Sequence, residues 1–339
     1  LTLFQLHAKA RHMSRHASSP TIGALGELAF LETILPGLPE GAGIVIGPGQ
    51  DCARVRAQGD WLLTIDSQEE GTHFRSEWLS PYQIGWKSFA VNASDIAAMG
   101  GVPRFALVNL AVPPAYPAAA LRRLQSGIVA AADKLGGARV VGGNLTRAAQ
   151  LAVTIALVGQ APKRRVTRQG ARPGDRIWVT GDLGDAAYAV QQLSAGASLP
   201  TSMLRRFQTP TPRLQAGRIL VERALASAMI DVSDGLLQDL GHICRASRVG
   251  AVVRTGSLPR SAAARRLRVD RSFALAGGED YELLFTVAPH RLSPLRRWLA
   301  RLGCPVVEIG EIVPGSAVRV TDPSGEPVRS AVTGFDHFK

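Results

Sequence analysis

Acidic residues are scarce in this chain, 27 Asp and Glu against 39 Lys and Arg, yet aspartates recur in glycine-bearing segments beside apolar strands. In order these are Gly47-Pro48-Gly49-Gln50-Asp51, Thr64-Ile65-Asp66-Ser67, Asn92-Ala93-Ser94-Asp95, Ile230-Asp231-Val232-Ser233-Asp234-Gly235 and Gly277-Gly278-Glu279-Asp280-Tyr281-Glu282. Mg²⁺ takes hard oxygen ligands, typically one or two carboxylates with water and phosphate oxygens. Glycines beside the acids allow unusual backbone angles and the close approach of a phosphate. Several such loops at strand ends, converging, would hold metal ions between polyphosphates, which is what phosphoryl transfer needs. Any one of them alone also reads as a turn or a helix cap, and Ser233-Asp234 could simply cap the helix that follows.

Other phosphate and hydrolase signatures are weak or missing. Gly181-Asp182-Leu183-Gly184-Asp185-Ala186 follows a strand and opens a helix, a phosphate-binding position, but its first residues are acidic and GxGxxG is incomplete. GxxxxGK[ST], the kinase HRD and DFG motifs, HExxH and GxSxG are absent. His73, after Glu69-Glu70-Gly71-Thr72, reads either as a surface histidine or as a substrate contact.

Alternating apolar strands and alanine-rich helices must position these groups. The patterning predicts helices over 26–35, 82–99 and 118–135 and strands over 44–46, 61–65, 105–112, 139–141 and 151–158, with Gly142-Gly143-Asn144 as a loop. A proline-, glycine- and arginine-bearing stretch over 161–174 marks a domain junction. Beyond it come strands over 176–180, 228–231 and 281–287, helices from 185, over 211–228, from 233 and over 292–302, and closing strands. The expected fold is α+β in two domains: an N-terminal mixed-sheet ATP- and Mg²⁺-binding domain over 23–160 and a C-terminal α/β domain over 161–339. Residues 1–22 read as a disordered basic tail or a cloning remnant, with Met13 an alternative start.

The bulk properties bound this reading. The length of 339 residues accommodates two cores, and 46% hydrophobic residues exclude wholesale disorder. No apolar run approaches the roughly 20 residues that span a bilayer, so a soluble protein is expected. Cys52, Cys244 and Cys304 form no CxxC pair, which argues against a zinc site or disulfide framework and fits a reducing cytoplasm. The net charge of +12 comes from scattered short arginine pairs, with one dense run at Lys163-Arg164-Arg165. Such a distribution fits a solvated surface and attraction of small polyanions better than nucleic acid.

Taken in order, the motifs resemble those of the thiamine-monophosphate kinase family, within the aminoimidazole-ribonucleotide-synthetase-like superfamily. The most specific pieces are Glu70-Gly71-Thr72-His73-Phe74, the stretch from Ala90 to Gly100, and the Gly-Gly-Glu-Asp-Tyr-Glu-Leu run from Gly277. The resemblance extends to Gly334-Phe335-Asp336-His337-Phe338. It implies transfer of the γ-phosphate of ATP to thiamine monophosphate, several Mg²⁺ ions, and a homodimer formed through the N-terminal domain. It further implies metal ligation by Asp51, Thr64, Asp66, Asp95, Asp231 and Asp234, and ATP contacts from Gly143, Arg168 and Ser233. His73, Glu279 and Phe335 would hold the thiamine phosphate.

Three positions depart from the family's pattern. Gln50 replaces the first acid of a Gly-Asp-Asp, Ile65 stands where threonine is common, and Asn144 occupies the place of a metal-binding aspartate that also adjoins ATP. An amide oxygen still coordinates, with one negative charge fewer, so a higher Mg²⁺ requirement is expected. Two rivals follow: another ATP-using member of the superfamily, and a nucleotide-binding relative that has lost catalysis.

Overall fold

The computed structural model describes residues 20–38, 43–46, 54–56 and 58–328. Of the expected tail over residues 1–22, residues 1–19 lie outside the described residues, as do the Gln50–Asp51 loop with Cys52 and Phe335.

The first half opens with helices α1 (Ile22–Leu25) and α2 (Glu27–Ile34) and a small antiparallel pair, β1 (Ile44–Ile46) with β2 (Arg54–Val55). It continues through β3 (Trp61–Glu69), α3 (Pro81–Ala98), β4 (Val102–Val112), α4 (Ala118–Lys134), β5 (Arg139–Arg147) and β6 (Ala152–Gln160). The last four strands form a sheet in the order β3-β6-β4-β5, antiparallel except for the parallel β4–β5 pair that α4 connects. Alternation is strict along β6: Val153, Ile155 and Leu157 are buried in a core with α3 and α4, while the residues between them face the other way.

Helix α3 is built to be central. Ser80 and Gln83 form a reciprocal capping box and Pro81 occupies the first turn, so its start is fixed locally. Gly85 and Gly127 let α3 and α4 touch backbone to backbone. A Cβ on Gly85 would fall 2.0 Å from the Leu124 carbonyl oxygen, and one on Gly127 would fall 2.0 Å from that of Tyr82. Its C-terminal end packs Ala97 and Ala98 into the core of the second half.

The second half runs through β7 (Arg176–Thr180), α5 (Asp185–Ser194), α6 (Thr201–Gln208), α7 (Leu214–Glu222), β8 (Ala228–Val232), α8 (Leu236–Ser247) and β9 (Gly250–Arg254). There follow α9 (Ala262–Arg266), α10 (Ser272–Ala276), β10 (Glu282–Val287), α11 (Leu292–Trp298), β11 (Val306–Val313) and β12 (Val318–Thr321). Its six strands are ordered β12-β9-β11-β7-β10-β8, antiparallel except for β12–β9. Ile177, Val179, Ile230, Val232 and Leu284 enter one core with α8; Trp178, Met229, Leu283, Phe285 and Val287 enter another with α7 and α11. Both faces of this sheet are therefore covered, as a sheet with near-continuous apolar strands requires.

The α+β class holds, and three local expectations are corrected. Asp66 is not in a loop: β3 continues to Glu69 because all nine of its residues pair with β6. Asn92 to Asp95 lie in the last turns of α3, as the predicted helix over 82–99 has them, and are not one of the strand-end loops. Gly142-Gly143-Asn144 is strand, held by parallel pairing with Leu107, Val108 and Asn109 of β4. Tertiary pairing overrides the punctuation that glycines give a sequence.

Candidate active site

The site forms where α3 meets the edges of both sheets. From the first half, Thr64 on β3 donates its hydroxyl to Asp95 Oδ2 at 2.5 Å. From the second, Asp231 on β8 accepts the Ser94 hydroxyl at 2.7 Å. Consecutive residues at the end of α3 thus bind one strand of each half. Asp231 lies on the α3 side of its sheet because it alternates with Ile230 and Val232, which enter the α8 core.

These carboxyls resist ionisation. Burial pushes Asp231 up to about 7, and the charge of Asp95 adds to that; the Ser94 hydrogen bond only partly offsets it. Burial also raises Asp95, opposed by the Thr64 hydrogen bond and by the charge of Arg168. Among the described residues, no ammonium or guanidinium lies in ion-pair range of Asp95 or Asp231. Tyr281 shows how far the convergence extends. Its hydroxyl is held well above its usual range by burial and by Glu279, Asp66, Asp231 and Asp234 together.

The loop after β8 is shaped by a residue further on. Asp239, one turn into α8, accepts the backbone N–H groups of Ser233, Asp234 and Gly235 at 3.1, 3.2 and 3.1 Å. That grip bends the chain so that Asp234 stands at the helix start, and burial with the Asp234 charge pushes Asp239 up to about 7. Oxygens of Asp234 and Asp239 and a ring nitrogen of His242 lie within 4.8 Å of one another. Burial and the charges of Arg245 and Arg168 lower His242. The Gly-Gly-Glu loop packs on the same segment: Glu279 N–H donates to Ser233 O at 2.7 Å and Tyr281 N–H to Val232 O at 2.8 Å. Glu279 and Tyr281 hold positive φ of 69° and 52°, a cost that non-glycine residues bear only where the surroundings over-determine them.

His73 sits in the turn before α3, its Nδ1 accepting the Glu69 N–H at 3.1 Å. Asn144 donates to Asn109 Oδ1 at 2.9 Å, and the register aligns Ser67, Thr154, Asn109 and Asn144 in one row across the sheet. Asp66, Ile155, Val108 and Gly143 form the next row, so Asn144 faces away from Asp66.

The carboxyls of Asp95 and Asp231, set close enough to repel each other, with the Thr64 hydroxyl beside them, suit a hard divalent cation. The relatives decide the family. Residues 49–161 match the AIR synthase related protein N-terminal domain and residues 172–323 its C-terminal domain. The thiamine-monophosphate kinase of Escherichia coli O157:H7 is 37% identical over 308 residues, 87% of this chain and 92% of that protein. That of Bacillus subtilis is 32% identical, covering 93% of this chain and all of the relative. The chain belongs to the thiamine-monophosphate kinase family. Among solved structures, the Stenotrophomonas maltophilia thiamine-monophosphate kinase superposes with a TM-score of 0.79 at 36% identity, covering 88% of this chain and 97% of that one. AaThiL complexed with AMPPCP and TMP gives 0.73 at 31%, covering 93% and 97%. Hydrogenase maturation protein HypE shares the fold, with a TM-score of 0.73 at 18% identity.

Two residues at this thiamine-monophosphate kinase family site escape the sequence reading. Asp239 sits inside a predicted helix, and its one signal is its position four residues after Gly235. Lys87 lies unmarked inside the predicted helix over 82–99, yet it is 1% exposed and paired with Glu279.

Proposed function

We propose that this chain phosphorylates thiamine monophosphate with ATP, giving thiamine diphosphate. The observation that carries the reading is the Thr64–Asp95 and Ser94–Asp231 pairing at the end of α3, with its unneutralised carboxyls, in a chain of this family. An oxygen of the acceptor phosphate bonds to the γ-phosphorus of ATP as the bond to the β,γ-bridging oxygen breaks, and ADP leaves with that electron pair. The acceptor oxygen is already anionic near neutral pH, so no side chain need remove a proton. Catalysis then rests on holding two polyanions in line.

In this reading Thr64, Asp66, Asp95, Asp231 and Asp234, with Asp51 and Asn144, hold several Mg²⁺ ions. Bound Mg²⁺ supplies neutralisation of the phosphate charge. Gly143, Asn144, Arg168 and Ser233 contact ATP, and His73, Glu279 and Phe335 contact thiamine monophosphate. The division into a domain over 23–160 and another over 161–339 follows the proline- and arginine-rich stretch between the sheets. A homodimer in the cytoplasm completes the proposal. Its support is the face of the four-stranded sheet on which, among the described residues, Leu63, Ile65 and Leu107 are 78%, 67% and 47% exposed. The sequence identities favour this acceptor over those of other superfamily members.

The test is direct. The protein, ATP, Mg²⁺ and thiamine monophosphate are incubated and thiamine diphosphate is sought by phosphorus NMR. Product confirms the reading; bound ATP without product overturns it.

A further inference from the structure

Lys87 is a fully buried lysine whose contacts reach three separate segments. Its Nζ lies 2.8 Å from Glu279 Oε1 and 2.9 Å from Oε2, so both carboxylate oxygens face it at once. The same Nζ sits 3.9 Å from the centre of the Phe207 ring and 3.4 Å from the His73 carbonyl oxygen. It therefore joins the turn before α3, helix α6 and the Gly-Gly-Glu loop. Two of those segments carry residues assigned above to the thiamine phosphate, and one comes from each half of the molecule.

A buried ammonium is costly to keep charged; burial lowers Lys87, and Glu279 acts in the opposite direction. Ordinary helix packing would put an apolar residue here. The lysine makes sense if the position of Glu279 matters. Its backbone is already fixed by the Ser233 hydrogen bond and a positive φ, and Lys87 fixes its carboxylate plane. Glu279 remains 24% exposed. Each carboxylate oxygen offers two lone pairs, and one ammonium does not use them all. The result is a rigid acceptor whose charge is balanced from behind.

We infer that Lys87 is a positioning residue for the acceptor substrate, holding Glu279 as a fixed, net-neutral hydrogen-bond acceptor toward donors on the heterocycle of thiamine monophosphate. This rests on the proposed reaction. Lys87 acts through Glu279: the contacts of its Nζ are the Glu279 carboxylate, the His73 carbonyl and the Phe207 ring.

The experiment is equilibrium binding of thiamine monophosphate and, separately, of the ATP analogue AMPPCP with Mg²⁺, to wild type, Lys87→Met, Lys87→Arg and the double variant Lys87→Met/Glu279→Gln. Lys87→Met is expected to weaken thiamine monophosphate about tenfold or more, the worth of one charge-assisted hydrogen bond, and AMPPCP less than about twofold. Lys87→Arg recovers part of the loss because it keeps the charge. The double variant removes both charges, so it retains the fold if Lys87→Met alone does not. It is expected to show the same selective loss. Equal weakening of both ligands, or none, in whichever of these variants folds overturns the inference. Failure of wild type to bind thiamine monophosphate overturns the proposed reaction instead.

Discussion

Two groups of buried acids lie on neighbouring strands of the six-stranded sheet, and the fold treats them in opposite ways. Glu282, at the start of β10, receives the Thr180 hydroxyl and the guanidinium groups of Arg206 and Arg213, the latter at 2.6 and 2.5 Å. Asp231, on adjacent β8, receives a serine hydroxyl and its own backbone N–H, with no cation in ion-pair range among the described residues, and stands beside another acid. A carboxylate supplied with cations is part of the scaffold. A carboxylate from which cations are withheld is destabilised in its charged form, and that stored cost is released when a cation binds.

Glu282→Ala leaves the Arg213 guanidinium partly buried without its partner and Arg206 with Asp182 alone, and should cost about 3–5 kcal/mol, seen as a large fall in Tm. Asp95→Ala removes one of two repelling acids, so Tm should stay near that of wild type while turnover falls on the order of a thousandfold. Loss of folding in Asp95→Ala would place it in the scaffold with Glu282.

The loop anchor comes next. Asp239→Ala removes the single oxygen, Oδ2, that accepts all three N–H groups. The Mg²⁺ concentration for half-maximal activity should rise about tenfold, with kcat changed less. An unchanged Mg²⁺ titration would show that Asp234 keeps its place without the three hydrogen bonds.

How much of this was legible beforehand depended on where the signal lay. Helix α3 is read almost to the residue, because its apolar spacing and the Ser80-Pro81 start are local. The extension of β3 through Asp66 and the strand character of Gly142-Gly143-Asn144 are not local; they come from partners 89 and 35 positions away, Ile155 and Asn109 respectively. Helix α6, bounded by Pro200 and Pro210, carries too few apolar residues to stand out, yet it delivers Arg206 to Glu282 and Phe207 to Lys87. The aspartates announced themselves by type and glycine company. Lys87 could not, since a lysine in a helix has the same letter whether it faces water or a buried glutamate.

A smaller effect sharpens the charge argument. The ordinary aspartate value of 3.8 rises to about 7 for Asp231 in the folded protein, so between these values the native state holds a proton that the unfolded chain has released. Stability from this group is greatest below that window and is lost as pH rises through it. The difference in Tm between Asp231→Asn and wild type, with chelator present, should therefore shift in favour of the variant by a few degrees from about pH 4 to about pH 7. Excess Mg²⁺ should abolish the shift, because a cation favours the ionised form. A flat difference across that range would mean that Asp231 is ionised without a metal.

The last test concerns the acid that is missing. The family resemblance puts an aspartate at position 144, and its absence predicts a raised Mg²⁺ requirement. Yet the register turns Asn144 toward Asn109 and Thr154, away from Asp66. Asn144→Asp should lower the Mg²⁺ concentration for half-maximal activity about two- to threefold if the residue joins the metal set when both substrates are bound, since one more charge strengthens a hard-ion site modestly. An unchanged Mg²⁺ titration would mean that the row facing away from Asp66 is its working position. The metal set would then be confined to the α3 side of the sheet, and Asn144 would be left to the exposed face that carries Leu63 and Ile65.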